Sequence, residues 1–293
     1  MRILYFGNNQ HAWSTERYVQ HALRMNGCEV ELKNGKHHPL HSVQKLVKNY
    51  RPDVVLFSKA TAPYFGKFLA WLKQKKIRTV CWQWDLFFGY RKRCPVQFES
   101  DLLFTTDGGH QNNWEKQYPH HQVLRQGIHA PDHVKYDRPY RFDVGFVGSI
   151  ETAHRSRRQV FSLMQKKFGC KFTWINGCRG HDLNKRLAQV KVLIGDSYPS
   201  EGYWSNRIYE MLGRGAFFIH AKTEGMEEEF DDGTHFVSYE RNNLDDLLTK
   251  IHFYIEEDEE RERIRDNGFE LMGKRFTYEH RCRILLDAIK ASL

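Results

Sequence analysis

Short apolar runs alternate with amphipathic segments along the chain. In the first half, five apolar runs have the length of buried strands: 2–7, 53–58, 78–84, 101–105 and 121–124. Between them lie segments with the i, i+3, i+4 spacing of helices: 14–26, 41–50, 64–75 and 109–117. Strands that alternate with helices predict a parallel sheet covered by helices, which is an α/β fold.

The pattern is interrupted once and then restarts. Gly127, Pro131 and Pro139 lie in a stretch with little periodicity. Strands are predicted again at 142–148, 171–175, 190–195 and 216–220, and helices at 244–255 and 260–271. A chain of 293 residues is long enough for two domains of roughly 100–150 residues each. We therefore expect an N-terminal domain at 1–126, a linker at 127–141, a second domain at 142–275 and a C-terminal helix at 276–293.

Positive charge is concentrated in the first half. Residues 1–140 hold 21 Lys and Arg against 11 Asp and Glu, a net charge of +10, whereas residues 141–293 have a net charge of −1. This asymmetry predicts an acidic partner for the first domain, either DNA or an anionic lipid surface. The candidate contacts are Lys73, Lys75, Lys76, Arg91, Lys92 and Arg93.

The cysteines and the apolar runs bear on the compartment. Six scattered cysteines include no C-x-x-C pair, and no leading apolar run indicates a signal peptide. No apolar stretch approaches about 18 uninterrupted residues, the length that spans a bilayer. We expect a reducing, cytoplasmic environment and no transmembrane segment.

Residues 198–215, YPSEGYWSNRIYEMLGRG, carry the most informative chemistry. A helix is predicted to start near Ser205, so that Ser205, Asn206 and Arg207 lie in its first turn. Free backbone N–H groups, short polar side chains and a guanidinium together suit a diphosphate. Glu210 lies one turn further on and can accept hydrogen bonds from a vicinal diol such as that of a ribose.

A second candidate phosphate site follows the strand at 142–148. Gly148 and Ser149 end the strand, and the basic cluster His154, Arg155, Arg157 and Arg158 opens a helix. Arg155 and Arg158 are three residues apart and share a face, so both are donor-binding candidates. A solvated basic helix face is the alternative interpretation.

Two residues at predicted strand ends are candidates for a catalytic base. Asp85 follows the strand at 78–84, and His110 follows Asp107-Gly108-Gly109. An ordinary turn carboxylate and a hydrogen-bonded loop histidine are the respective alternatives. His37, His38 and His41 have imperfect metal-ligand spacing, and a basic surface loop is the simpler interpretation.

The stretch 198–224 resembles the donor-site signature of GT-B glycosyltransferases of the family 4 type, and the similarity extends from DVGFVGSIETAHRSRR to the C-terminus. It also resembles the spore-maturation glycosyltransferase-like group. In the family 4 pattern seven residues separate two glutamates, whereas eight separate Glu201 from Glu210 here, so Glu210 carries over as the ribose ligand and Glu201 as a second donor-binding candidate. The resemblance implies two Rossmann-like domains facing across a cleft, with the C-terminal helix crossing back to the first domain.

The implied activity is glycosyl transfer, of a hexose or a pentose, from a nucleoside-diphosphate sugar such as a UDP-sugar to an acceptor hydroxyl. No cofactor is expected, and because no Asp-x-Asp occurs we expect no essential metal. The basic first domain favours a hydroxymethylated pyrimidine in DNA as the acceptor, as in phage enzymes that glycosylate DNA, in the cytoplasm of a bacterial or phage-infected cell. The alternatives are a glycan or lipid acceptor at an anionic membrane surface, and a non-catalytic protein of the same fold that binds nucleic acid.

Overall fold

The computed structural model describes residues 1–34, 39–58, 65–86, 99–107, 120–150 and 155–292. For residues 155 and 156 it describes the backbone only. The chain divides into two compact units. The first unit is formed by residues 1–126 together with 278–293, and the second unit by residues 127–277.

The first unit is built on a six-stranded parallel sheet in the order β2-β1-β3-β4-β5-β6. Its elements are β1 (Arg2–Phe6), α1 (Thr15–Met25), β2 (Glu29–Lys33), α2 (Leu40–Tyr50), β3 (Val54–Phe57), α3 (Phe65–Gln74), β4 (Arg78–Gln83), β5 (Leu102–Thr105), β6 (His121–Val123) and a C-terminal helix (Tyr278–Ala291), which is α9 in chain order.

Both faces of this sheet are apolar because both are covered by helices. Along β1, Ile3 and Tyr5 belong to the cluster with α1 and α9, whereas Leu4 and Phe6 belong to the cluster with α2 and α3. Successive side chains of a strand point to opposite faces, so a strand buried on both sides is continuously hydrophobic. The sequence RILYF of β1 is such a strand.

The second unit holds a five-stranded parallel sheet in the order β11-β10-β9-β7-β8. Its elements are β7 (Phe142–Val147), α4 (Arg155–Phe168), β8 (Phe172–Ile175), α5 (Gly180–Leu187), β9 (Val190–Gly195), α6 (Arg207–Gly213), β10 (Phe218–Ala221), β11 (Val237–Tyr239), α7 (Leu244–Glu256) and α8 (Asp258–Arg275).

The segment expected to be a linker, 127–141, lies in the second unit, and its first part is packed there. Ile128 is fully buried, and its N–H donates to the carbonyl of Phe276 at 2.9 Å. The side chain of Ile128 also lies close to the backbone of α6, because a Cβ on Gly213 would meet Cγ1 of Ile128 at 2.7 Å. Asn184 of α5 adds two side-chain hydrogen bonds, to the carbonyls of Asp132 and Val134.

The predicted alternation of strands and helices and the parallel sheets are confirmed, and three elements were not predicted. Strand β2 reads EVELK, strand β11 has three residues, and α5 reads GHDLNKRL. Each is short or rich in charge, so its apolar pattern is weak. Helix α6 begins at Arg207, two residues later than predicted. The helix predicted at 109–117 lies outside the described residues. Within the described ranges, no helix combines the length and the hydropathy needed to cross a membrane.

Candidate functional site

The candidate site of the second unit lies where β7, β9 and β10 end. These three strands are parallel, so their carboxyl ends meet at one edge of the sheet, where open α/β sheets bind their ligands. Gly148 follows β7, Asp196 follows β9, and α6 begins at Arg207 soon after. This edge gathers several of the donor-binding candidates predicted from the two separate motifs.

Two guanidinium groups converge on one buried carboxylate. The Nε of Arg157 donates to Oδ1 of Asp196 at 2.7 Å, and Nη1 of Arg207 lies 3.9 Å from the same oxygen while donating to the Asp196 carbonyl at 3.1 Å. Both guanidinium carbons lie over the ring of Phe146, at 6.0 Å and 5.7 Å from its centroid. Two cations facing one anion leave a net positive charge, which suits an anionic ligand.

The environment of Arg207 is poor in compensating charge. Burial and, to a smaller extent, the nearby Arg157 lower the pKa of Arg207 to about 10, because Asp196 offsets them only in part. The group is still protonated at neutral pH. A second negative charge beside Arg207 would therefore be favourable. Because α6 has only seven residues, these side chains rather than a long helix dipole carry the positive charge.

Gly148 permits the close approach of Arg207. Its φ is +123°, a conformation that side chains rarely adopt, and a Cβ there would meet Nη2 of Arg207 at 2.8 Å. The carbonyl of Gly148 accepts a hydrogen bond from Nε1 of Trp174 at 2.8 Å. The glycine thus lets the guanidinium lie directly against the turn after β7.

The loop between β9 and α6 is anchored by Ser197 and His220. The Ser205 N–H donates to Oγ of Ser197 at 2.8 Å, and that Oγ lies 2.9 Å from Nε2 of His220. Nδ1 of His220 lies 2.7 Å from the carbonyl of Ala221, which assigns the proton to Nδ1 and leaves Nε2 to accept from Ser197. Burial lowers the pKa of His220 to about 4, so the ring is neutral. Arg241 adds hydrogen bonds to the Ser197 carbonyl and to Oγ1 of Thr223, both at 3.0 Å.

Glu210, the predicted ribose ligand, is partly exposed at this edge. Its side chain is 19% exposed. Oε1 accepts from Nδ2 of Asn206 at 3.3 Å, and Oε2 accepts from Nε of Arg214 at 3.0 Å. A carboxylate has about four lone-pair directions, so Glu210 retains capacity for further donors.

Three buried polar atoms in the segment between β9 and α6 have no hydrogen-bond partner among the described residues. They are Oγ of Ser200, Oγ of Ser205 and Oδ1 of Asn206. Buried polar atoms are usually satisfied, and exceptions often mark functional sites. Oriented hydroxyl and amide oxygens without partners fit a polar ligand.

A pocket of about 730 Å³ lies elsewhere in the second unit, beside Thr223 and Arg241. Its apolar part is formed by Met226, Phe230 and Phe236, but five carboxylates also line it. Such a lining repels a diphosphate. Of the two places, the Arg157 and Arg207 pair is the better candidate for an anion site.

Residues 144–287, just under half of the chain, match the family described as "Glycosyl transferase-like". No curated protein sequence matches the chain. Solved structures match along nearly all of it. A glycosyltransferase from Rickettsia africae ESF-5 is 13% identical over 99% of this chain and 98% of that one, with a TM-score of 0.70. Anabaena Alr3699/HepE in complex with UDP and glucose is 12% identical over 99% and 100%, with a TM-score of 0.71.

The chain has the GT-B fold. Sucrose-phosphate synthase from Thermosynechococcus elongatus has the same likeness, at 11% identity over 99% of this chain and 98% of that one, with a TM-score of 0.68. The prediction of an α/β, GT-B fold is confirmed. At these identities the solved structures show the fold alone, and the family match adds support for a glycosyltransferase.

In this GT-B chain, the donor-binding candidates separate into two groups. Gly148, Ser205, Asn206, Arg207 and Glu210 all lie around the edge described above, as does Ser149, whose carbonyl lies 3.5 Å from Nη1 of Arg157. Arg158 is exposed, and Glu201 is exposed in the turn that precedes α6. The side chain of Arg155 lies outside the described residues.

Sequence reasoning did not select Arg157, although it named the cluster that contains it. Arg157 is three, four and seven residues from Val160, Phe161 and Met164, which are buried in the core of the unit. This i, i+3, i+4, i+7 spacing places Arg157 on the buried face of α4 and could have identified it. Arg214 and Asp132 were also missed, because one follows a helix end and the other lies in the expected linker.

The first unit places Asp85 at the carboxyl end of its sheet. Asp85 follows β4 and is exposed, and its carbonyl accepts a hydrogen bond from Nε2 of Gln83 at 3.1 Å. This is the kind of strand end that was predicted for a catalytic group. His110, the other candidate base, lies outside the described residues, as do Arg91, Lys92, Arg93, His37 and His38.

The structure does not bring the described acceptor-binding lysines together with Asp85. Lys73, Lys75 and Lys76 are exposed and lie around the connection between α3 and the start of β4, at the amino end of the strand. Asp85 follows the other end. A strand of six residues spans about 20 Å, so these lysines lie too far from Asp85 to form a single surface with it.

Proposed function

We propose that this chain is a glycosyltransferase whose second unit binds a nucleoside-diphosphate sugar, with UDP as the nucleotide. The observation that carries the proposal is the group of Arg157, Asp196 and Arg207 against the Gly148 turn, at the carboxyl ends of the strands. HepE, whose solved complexes contain UDP, UDP and glucose, or UDP-glucose, supports the choice of nucleotide.

The diphosphate would lie against the two guanidinium groups. Arg207 donates a hydrogen bond to the Asp196 carbonyl, and Gly148 leaves room for its guanidinium because it has no side chain. The orientation of Arg207 is therefore set before the ligand binds. Negative charge develops on the diphosphate as the bond to the sugar breaks. Preorganised cations stabilise that charge without reorganisation, and this is their proposed catalytic role.

The ribose would be bound by Glu210, whose Oε1 retains acceptor capacity. The unpartnered oxygens of Ser200, Ser205 and Asn206 provide further polar contacts around the same ligand. The neutral Ser197–His220 pair would hold the backbone of this loop in place without adding charge. Among the described residues, no group of three metal-ligating side chains is placed to hold an ion. We propose that the arginines neutralise the diphosphate without a metal, because the guanidinium groups of Arg157 and Arg207 supply the positive charge that a divalent ion would otherwise provide.

The acceptor would be bound by the first unit, with Asp85 or His110 as the group that receives the hydroxyl proton. The proposal of a hydroxymethylated pyrimidine in DNA rests on charge. The residues of the first unit include 22 Lys and Arg against 11 Asp and Glu, a net charge of +11. Lys73, Lys75 and Lys76 would then bind phosphates of the DNA backbone at some distance from the reacting hydroxyl. A glycan or lipid acceptor at an anionic surface uses the same charge and is the competing assignment.

The test is nucleoside diphosphate release from a panel of sugar nucleotides, with and without EDTA. Each sugar nucleotide is combined with one acceptor, which is hydroxymethylcytosine DNA, hydroxymethyluracil DNA, unmodified DNA or an anionic lipid extract. Release from a UDP-sugar that depends on hydroxymethylated DNA supports the full proposal. Release with lipid or saccharide alone reassigns the acceptor. No release with any pair, together with salt-sensitive DNA binding, would mean a non-catalytic binding protein.

A further inference from the structure

Arg214 lies in the interior of the second unit and donates four hydrogen bonds. Its side chain is 1% exposed. Nη1 donates to the Gly180 carbonyl at 3.1 Å and to Oδ1 of Asn184 at 2.5 Å, and Nη2 donates to Oδ2 of Asp132 at 2.7 Å. Nε donates to Oε2 of Glu210 at 3.0 Å, and Nη2 forms an ion pair with the same oxygen at 3.0 Å. A guanidinium has five N–H donors, so most of its hydrogen-bonding capacity is used here.

Two carboxylates share this single buried cation. Burial alone would lower the pKa of Arg214, but Glu210 and Asp132 outweigh it, so the pKa is raised. Asp132 is 6% exposed and lies on the short helical turn 130–132, while Asn184 ties the same segment to α5. Gly180, Asn184 and Asp132 therefore fix the position of the Arg214 guanidinium independently of Glu210.

The consequence is an unequal division of the Glu210 carboxylate. Oε2 accepts a hydrogen bond from Nε of Arg214 and lies 3.0 Å from its Nη2, whereas Oε1 accepts only from the amide of Asn206, at a longer 3.3 Å. Without Arg214, Oε2 of Glu210 would lose its hydrogen-bond donor and Asp132 would lose its buried partner, so only the longer contact to Asn206 would orient the Glu210 carboxylate.

We propose that Arg214, balanced by Asp132, is a positioning residue that holds Oε2 of Glu210 and turns Oε1 towards the ribose hydroxyls of the donor. This inference rests on the proposed function, because it assumes that Glu210 binds the ribose. Arg214 and Asp132, which are charged residues of the interior, would thus support donor binding through Glu210.

The test compares binding of UDP with binding of 2′,3′-dideoxy-UDP, which keeps the diphosphate but lacks both ribose hydroxyls. The readout is the ratio of the two dissociation constants measured by calorimetric titration. In the wild-type protein UDP should bind roughly 10- to 100-fold more tightly, because a site built to accept these hydroxyls loses two charge-assisted hydrogen bonds with the analogue. Glu210→Gln should reduce this ratio.

Arg214→Met should reduce the ratio to below about threefold while the affinity for 2′,3′-dideoxy-UDP stays within about threefold of the wild type. Arg214→Lys, which keeps the charge but not the fork, should give an intermediate ratio, and Asp132→Asn a smaller reduction. A purely structural role would weaken both ligands equally and leave the ratio unchanged.

The outcomes separate this inference from the proposed function. If the wild type does not bind UDP, or if it and Glu210→Gln show the same ratio, the donor-site assignment fails and this inference fails with it. If Glu210→Gln lowers the ratio but Arg214→Met does not, the positioning role is overturned and the proposed function stands. If circular dichroism shows that Arg214→Met is unfolded, Arg214→Lys decides, since an unchanged ratio there overturns the role.

Discussion

The two units of this chain share one architecture but differ at the same structural position. In each, the first strand of the sheet leads directly to a glycine, Gly7 after β1 and Gly148 after β7. A Cβ on Gly7 would meet Cγ of Glu16 at 2.5 Å, whereas a Cβ on Gly148 would meet Nη2 of Arg207 at 2.8 Å. A buried carboxylic side chain occupies the position in one unit and a guanidinium occupies it in the other.

This difference explains why we assign the donor to the second unit. In sheets of this type the turn after the first strand is where a phosphate approaches the backbone. Glu16 is 3% exposed, so a phosphate beside Gly7 would meet a buried carboxylic acid or carboxylate. The total charges have the opposite sense, +11 for the first unit and −2 for the second. Local placement of charge, rather than the sum over a domain, determines where a small anion binds.

The largest effect is expected from removing one cation of the pair. Arg157→Gln should lower kcat/KM for the donor by about 100-fold, because a buried charge-assisted contact to the departing diphosphate is lost. Arg158→Gln is the matched control, since it alters the next residue of the same helix, which is exposed. Steady-state assays of nucleoside diphosphate release measure both. Equal losses in the two variants would show that α4 contributes general charge and not a specific contact.

A pair of glycine substitutions sharpens the comparison between the units. Gly148→Ala should weaken UDP binding by about 10-fold or more, because the new Cβ displaces the Arg207 guanidinium from the turn. Gly7→Ala should lower the free energy of unfolding by about 1–3 kcal/mol through its clash with Glu16 and leave UDP affinity unchanged. Calorimetric titration and urea unfolding measure the two effects. Loss of UDP binding in Gly7→Ala would contradict the assignment to the second unit.

Acid should destabilise the fold through His220. Its pKa is about 4 in the folded state and about 6.5 when unfolded, so the unfolded chain binds the proton first as the pH falls. Stability from this group is fully present above about pH 6.5 and decreases by up to about 3 kcal/mol as the pH falls to 4. Urea unfolding at several pH values should show a shallower pH dependence in His220→Gln than in the wild type. Identical slopes would mean that the ring is not held neutral.

The smallest effect on donor chemistry is expected from the lysines of the first unit. Replacing Lys73, Lys75 and Lys76 together by Glu should leave UDP affinity within about twofold, because these residues belong to the other unit. If the surface binds DNA, the slope of log affinity against log salt concentration should fall by about 0.9 for each phosphate contact removed. Fluorescence anisotropy with a labelled duplex measures the slope. An unchanged slope would exclude these lysines from the acceptor surface.

Much of the fold could be predicted because its strands are continuous apolar runs. Strands β1, β3 and β4 are buried on both faces, so hydrophobicity alone locates them. Strand β2 is an edge strand that alternates Glu and Lys with Val and Leu, and its signal is weaker. Strand β11 has only three residues, too few for a pattern.

The site was predictable in part, for a different reason. Arg207 and Glu210 lie close together in the sequence, so one motif revealed both. Asp132 and Arg214 are 82 residues apart and meet only after folding, so no local pattern reveals that a cation between them supports Glu210. Buried polar networks depend on tertiary contacts that a single sequence does not display.

The most direct test of the central claim is calorimetric titration of UDP into the wild-type protein, Arg207→Gln and Arg158→Gln. We expect saturable binding of UDP by the wild type and a dissociation constant at least 30-fold higher in Arg207→Gln. In Arg158→Gln the dissociation constant should change by less than twofold. Equal affinity in all three proteins, or no binding of UDP to the wild type, would contradict the assignment of the second unit as the donor-binding unit.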